Sequence, residues 1–223
     1  YYASWTREQI DWNPGGLWKD WRFGPSGREG RSWLGGGEGV LDDKGTARLS
    51  IQTTGEGAIE GAVFRYSVEV EAQDAARQSV AARSSVIVHP ASFLIGMRLD
   101  SGNREGSGPS IFFQSEGRDL TLSGAHVDAD GRIVPAGGTV SMELVRQEWK
   151  LQRQETPNGV SLVWEREEIV EDSRNLPVRA GRFSHSFKAG KGGQWELRIR
   201  NTDSEGRRAY SVLPFYVSGS GWI

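Results

Sequence analysis

The chain has 223 residues, no cysteine and a formal net charge of -2. A nearly neutral chain has no basic field for nucleic acid, and the lack of thiols removes disulfide scaffolds, cysteine nucleophiles and thiolate zinc sites. No apolar run approaches the ~18–20 residues that span a bilayer, and the chain opens without Met or a charged-then-apolar leader, so any address signal is expected outside it.

The opening stretch "YYASWTREQIDWNPGGLWKDWRFG" holds Trp5, Trp12, Trp18 and Trp21, and Trp33 follows closely. Two readings stand side by side. The rings could form a stacking platform for a sugar, or they could fill a core or an interface, where large aromatics bury most area. Their irregular spacing and the turn formers Asn13, Pro14, Gly15 and Gly16 favour packing. The first ~35 residues are expected to be irregular, with Trp18, Trp21 and Phe23 among the better buried.

Further along, "GVLDDKGTARLSI" sets Asp-Asp-Lys-Gly between apolar stretches and reads as a hairpin or short connection. Period-two alternation then takes over. In "VFRYSVEVEA", Phe64, Tyr66, Val68 and Val70 share one face, and Arg65, Ser67, Glu69 and Glu71 the other. "QDAARQ" reads as a turn and "SVAARSSVIVHP" as a returning strand stopped by Pro90. Beyond it, "SFLIGMRLD" alternates Phe93, Ile95, Met97 and Leu99, and Val140, Met142 and Leu144 mark a strand after the turn "DADG". "VSLVW", "GRFSHSFKA", "GQWELRIRN" and "RAYSVLPFYVSG" complete the set. Short strands with glycine-rich punctuation and no long amphipathic helix predict antiparallel β-sandwiches. We expect two in tandem, residues 1–88 and 89–223, with the joint at 88–92 and a modest, fairly polar contact that leaves hinge freedom.

Candidate chemistry is sparse. His126, Asp128 and Asp130 in "HVDADGRIV" could suggest a calcium loop, but the third carboxylate and closing Glu are missing, and Asp-Gly makes turns by itself. His89, His126 and His185 do not form an H-E-x-x-H pair, and no G-x-S-x-G elbow is present. His185 falls in the alternation Phe183, His185, Phe187, which reads as a strand face. The acidic run "EREEIVEDS" reads as a solvated face. No residue is therefore assigned a catalytic, cofactor-binding or metal-ligating role.

From "SSVIVHPASFLIGMRLD" onward the sequence resembles the bacterial alpha-2-macroglobulin family at the joint between two consecutive macroglobulin-like domains. The blocks "AHVDADGRIVPAGGTVSMELVRQEWK", "VWEREEI", "GQWELRIR" and "FYVSGSGW" follow in the family's order, with Arg146-x-x-Trp149 and a closing Ser-Gly-x-Gly-Trp, over residues 36–222. The resemblance implies two Ig- or fibronectin III-like macroglobulin domains, the first lacking its opening strands, upstream of a bait region. It implies a non-catalytic scaffold in a periplasmic or envelope protease inhibitor, with a lipid tether on the parent chain. Its partners would be the neighbouring domains and the trapped endopeptidase. The family's thioester does not carry over, because a Cys-x-x-Gln motif needs a cysteine. The rival reading is an envelope polysaccharide-binding module that uses the N-terminal tryptophans.

Overall fold

The computed structural model describes residues 1–27, 29–53, 59–100, 112–135, 137–156 and 159–219. Ser220–Ile223, most of the closing Ser-Gly-x-Gly-Trp block, lie outside the described residues. As the periodicity predicts, the protein is built of strands in largely antiparallel sheets, with one 3-10 turn at Gly16–Trp18.

The first sheet takes β1 (Tyr2–Ile10), β3 (Ser32–Glu38), β4 (Val63–Gln73) and β5 (Ser79–Val88), in the order β3-β1-β4-β5. Every pairing is antiparallel. Phe64 and Tyr66 are buried on one face of β4, as their spacing predicts, and Ile51 and Ile59 from non-strand chain cover them. Among the described residues, this unit is thus one sheet under an irregular cover.

The opening residues differ from expectation: residues 2–10 form a central strand, not irregular chain. The covered positions Arg7 and Gln9 are polar, so hydrophobic alternation does not reveal the strand. Their partners come from far along the chain. Arg7 Nη2 donates to Glu29 Oε1 at 2.7 Å and the guanidinium lies 4.8 Å from the Phe64 ring, while Gln9 Nε2 donates to the Gly27 carbonyl at 2.8 Å. The neighbouring strand β3 is glycine-rich because a ring lies on it: a Cβ at Gly35 would sit 3.1 Å from Trp5 Cζ2. "DDKG" does turn, with Asp42 N donating to the Thr46 carbonyl, but among the described residues no hairpin strands flank it.

The second unit is a sandwich. One sheet has the order β10-β9-β12-β13-β7, made of β7 (Phe112–Ser115), β9 (Thr139–Thr156), β10 (Gly159–Pro177), β12 (Gly193–Thr202) and β13 (Arg208–Ser218). The facing sheet has the order β11-β8-β6-β2, made of β2 (Arg22–Phe23), β6 (Leu94–Asp100), β8 (Asp119–Val127) and β11 (Arg182–Lys188). The pairing of β7 with β13 is parallel. Between the layers lie Ile95, Met97, Leu120 and Leu122 from one sheet and Met142, Leu197, Ile199, Leu213 and Phe215 from the other, all within 1% of full burial.

The strands β9 and β10 run well past their neighbours. β12 pairs with β9 only from Ser141 to Gln147, so the remainder is a two-stranded arm. At ~3.3 Å per residue, β9 alone is about 60 Å long. Its apolar residues change face along the way. Val140, Met142 and Leu144 point into the core, whereas Trp149 and Leu151 occupy the opposite parity and are 57% and 49% exposed.

This inversion gives Met142 and Trp149 of the same strand opposite environments. Met142→Ala should destabilise the protein by ~2–5 kcal/mol, because it opens a cavity between closed layers. Trp149→Ser in the same 223-residue chain should change stability by no more than about 0.5 kcal/mol. Urea unfolding curves of the two variants against the parent would check both values.

Candidate functional site

The unusual environments gather where the N-terminal chain crosses onto the sandwich. After β1, Asn13 organises a tight loop: its Oδ1 accepts from Gly15 N at 2.8 Å, and its Nδ2 donates to the Trp18 and Trp21 carbonyls at 2.9 and 3.0 Å. The loop sets Trp18 edge-on to Trp21, with centroids 4.9 Å apart, and Trp12 edge-on to Phe23 at 5.1 Å and to His89 at 5.5 Å. Trp18 is 7% exposed, and its indole N–H donates to the Gly131 carbonyl at 2.7 Å, in the turn of the second unit. Trp18, Phe23, Val63, Leu94, Ala125 and Val127 form one apolar cluster. The contact between the units is therefore more apolar than tandem sandwiches usually show.

Backbone bonds then fix the crossing. Arg22 and Phe23 pair with Met97 and Gly96 of β6. Next to them, Gly24 N donates to Ser211 Oγ at 2.9 Å, and the Gly24 carbonyl accepts from Val212 N at 2.9 Å. The Ser211 hydroxyl itself donates to the Ile95 carbonyl at 2.7 Å. Gly61, at φ 75°, lies so close to the Tyr210 backbone that any Cβ there would collide with it. At the second crossing, Ser92 N donates to Asp203 Oδ2 at 2.9 Å. Burial alone would raise the Asp203 carboxyl, but hydrogen bonds from Ser92, Arg207 and Glu205 outweigh it and hold it below the ordinary carboxylate range.

His126 is fully buried at this joint. Its ring stacks on Phe93 at 4.3 Å, Nε2 lies 3.2 Å from Asn201 Nδ2, and Nδ1 has no hydrogen-bond partner among the described residues. Burial pushes its pKa down to about 4. His89 and His185 are likewise lowered, chiefly by burial.

The residues weighed from sequence are not brought together. Asp128 Oδ1 accepts from Asp130 N at 2.9 Å and Arg132 N at 2.8 Å, which is turn chemistry, and His126 points away into the core. Among the described residues, no group of three or more His, Asp or Glu side chains could hold a metal ion. His185 sits on a strand face, stacked with Phe187 as the alternation predicts. The run "EREEIVEDS" is part of β10 and is not simply solvated. Glu171 accepts from Arg146 at 2.7 Å, Glu168 from Arg198 at 2.8 Å, and Glu167 pairs with Lys150.

Nor do the N-terminal tryptophans line up as an open row. Trp12, Trp18 and Trp21 spend their faces and edges on one another, on Phe23 and, for Trp21, on the Arg98 guanidinium at 5.3 Å. Trp5 and Trp33 lie on opposite faces of the first sheet. Sequence reasoning read Asn13 as a turn former but missed Asp203 and Ser211 as organisers of the joint; the Asp-Ser-Glu-Gly turn at 203–206 could have hinted at the first of these.

No family model matches the chain, and no curated protein matches it. Solved structures do. Over 100% of its length the chain resembles the native conformation of E. coli alpha-2-macroglobulin, with a TM-score of 0.63 and 16% identity. It resembles Salmonella alpha-2-macroglobulin reacted with methylamine over 98% of its length, at 0.63 and 14%. It resembles E. coli alpha-2-macroglobulin activated by porcine elastase over 99%, at 0.62 and 16%. The chain spans only 14% of the first two and 19% of the third. The fold is thus that of a segment of bacterial alpha-2-macroglobulins, as the sequence resemblance implies.

The buried His126 makes stability depend on pH with a definite sign. Its folded pKa is depressed, so the unfolded chain binds more protons between about 4 and the ordinary 6.5. The stability it permits is fully present above pH 6.5 and is lost as pH falls towards 4, by up to ~3 kcal/mol. His126→Phe should flatten this part of the profile and leave the slope from His89 and His185, joined near pH 4 by that of carboxylates the fold holds low, Asp203 among them. Urea midpoints measured from pH 7 to pH 4 on both proteins would show the difference.

Proposed function

We propose that the chain is an internal, non-catalytic scaffold segment of a bacterial alpha-2-macroglobulin-like endopeptidase inhibitor. In this reading residues 1–88 and 89–223 are two consecutive macroglobulin-like units upstream of a bait region. The observation that carries it is the end-to-end likeness of the whole chain to a segment of such proteins, not to an isolated module. One of those proteins is described as activated by an elastase, which supports a protease as the parent's partner. The site chemistry agrees: what this chain arranges is a packed joint, with polar groups spent on backbone.

The segment's task is mechanical. When a protease cuts the bait elsewhere in the parent chain, domains must move as bodies, and the joint decides which bodies move together. Two crossings, at 12–24 and 88–93, tie the first unit to the sandwich through the Trp18 cluster and the Ser92–Asp203 bond. The parent belongs in the periplasm or cell envelope, held by a lipid tether. No helix among the described residues is long and apolar enough to cross a membrane. A polysaccharide platform has no observation in its favour.

The test uses the full-length parent with proteases of several specificities. After one internal cut, hydrolysis of protein substrates should fall while hydrolysis of small peptides by the captured enzyme continues. Equal loss on both substrate sizes, or no loss on either, would remove the trap reading.

A further inference from the structure

We infer that the outward face of the β9–β10 arm is a docking surface for another part of the same longer polypeptide, one apolar at its centre and carrying carboxylates at its rim. The inference rests on the reading above only in taking this chain as a segment of a longer one. On the arm, Trp149, Leu151 and Arg153 of β9 share a face with their cross-strand partners Arg166, Trp164 and Leu162 of β10. Directly paired residues stand side by side, so the six make one continuous strip. Trp149, Leu151, Leu162 and Trp164 are 57%, 49%, 63% and 62% exposed. Exposed strips of this kind mark interaction sites, and Trp with Arg is the composition of interface hot spots.

The opposite face shows that the strip is placed and not accidental. There Glu148, Lys150, Glu165 and Glu167 replace the core residues of the same strands, with Lys150 paired to Glu167 and Glu148 to Arg146. The apolar side of the hairpin has been moved from the inner face of its own sandwich to the outer one, where among the described residues no second layer covers Trp149 and Trp164.

Charge chooses among the occupants. Arg153 has no carboxylate partner among the described residues, and Arg166 only reaches Glu168 at 3.4 Å, a carboxylate already held by Arg198 at 2.8 Å. A cationic strip meeting a second copy of itself would set like charges together. An anionic lipid surface would bring the carboxylates of the rear face, one ribbon thickness away, within about a Debye length of ~10 Å. A carboxylate-rimmed protein surface meets neither penalty. The solved alpha-2-macroglobulins supply the room for one, since this chain accounts for only 14% of their length.

The test is oxidative footprinting of Trp149 and Trp164, read by mass spectrometry, in the 223-residue chain and in the full-length parent. Both tryptophans should oxidise about fivefold or more slowly in the parent, as residues of an interface core do. The double variant Arg153→Glu, Arg166→Glu should restore oxidation in the parent. Equal oxidation in both proteins overturns the inference. So does protection that survives the double variant, or protection of the 223-residue chain that appears on raising its concentration or adding vesicles of anionic phospholipid. A parent that traps no protease yet protects both rings would remove the function proposed above and leave this surface standing. A trap with both rings open would do the reverse.

Discussion

A strand can turn only every second side chain towards a given layer, so an apolar residue is useful only while something lies on its side of the sheet. That constraint organises this protein. Along β9, Val140, Met142 and Leu144 face the sheet opposite and are at most 3% exposed. Where that sheet ends, the apolar parity switches and Arg146 and Glu148 take the inner side, paired with each other. The same constraint leaves its mark on β5. Val80 and Val86 continue the covered face of β4, opposite Ala72 and Tyr66, but the irregular cover does not reach them and they are 67% and 59% exposed. The first sheet is therefore closed near Phe64 and open towards β5.

The joint answers a second demand, that every buried backbone group find a partner. A two-residue strand cannot satisfy this by sheet pairing alone. Phe23 therefore pairs with β6 while the next residue, Gly24, exchanges bonds with Ser211 and Val212 of β13. β6 and β13 belong to different layers, so three residues of the N-terminal chain bridge both sheets of the sandwich. Ser211, 1% exposed, completes the bridge by donating its own hydrogen bond to the Ile95 carbonyl. A contact assembled in this way resists sliding, because each bond has a fixed position along the strand, whereas the apolar Trp18 cluster alone would tolerate it.

How much of this could be read from sequence depended on where partners lie. The strands β4, β6, β12 and β13 were legible, since Phe64, Met97, Leu197 and Phe215 fall in short apolar stretches with local turns between them. The strand β1 was hidden because Arg7 and Gln9 occupy covered positions and bond to Glu29 and Gly27, which no local window connects to them. β2 is too short for any periodicity, and its pairing depends on Met97 and Gly96, far along the chain. At the site, the turn reading of Asp128 and the strand-face reading of His185 needed only neighbouring residues. Asp203 and Ser211 act through Ser92 and Gly24, more than a hundred residues away in sequence. The arm lies between these cases: its parity switch is written in "MELVRQEWKL", but only the register with β10 shows that Trp149 and Trp164 share a face.

A two-stranded ribbon without a second layer is the least stable form of sheet, so what keeps the arm extended matters to what it can do. Its cross-strand ion pairs are mostly exposed and individually contribute little. At the base, by contrast, Arg146 is nearly buried, faces Trp195 at 5.9 Å and is held by Glu171, and Arg198 grips Glu168 through two nitrogens. The ribbon is thus clamped at its base. A surface laid on its Trp149–Trp164 face would add the second layer that the inner face has at Val140, Met142 and Leu144 and that this face lacks among the described residues.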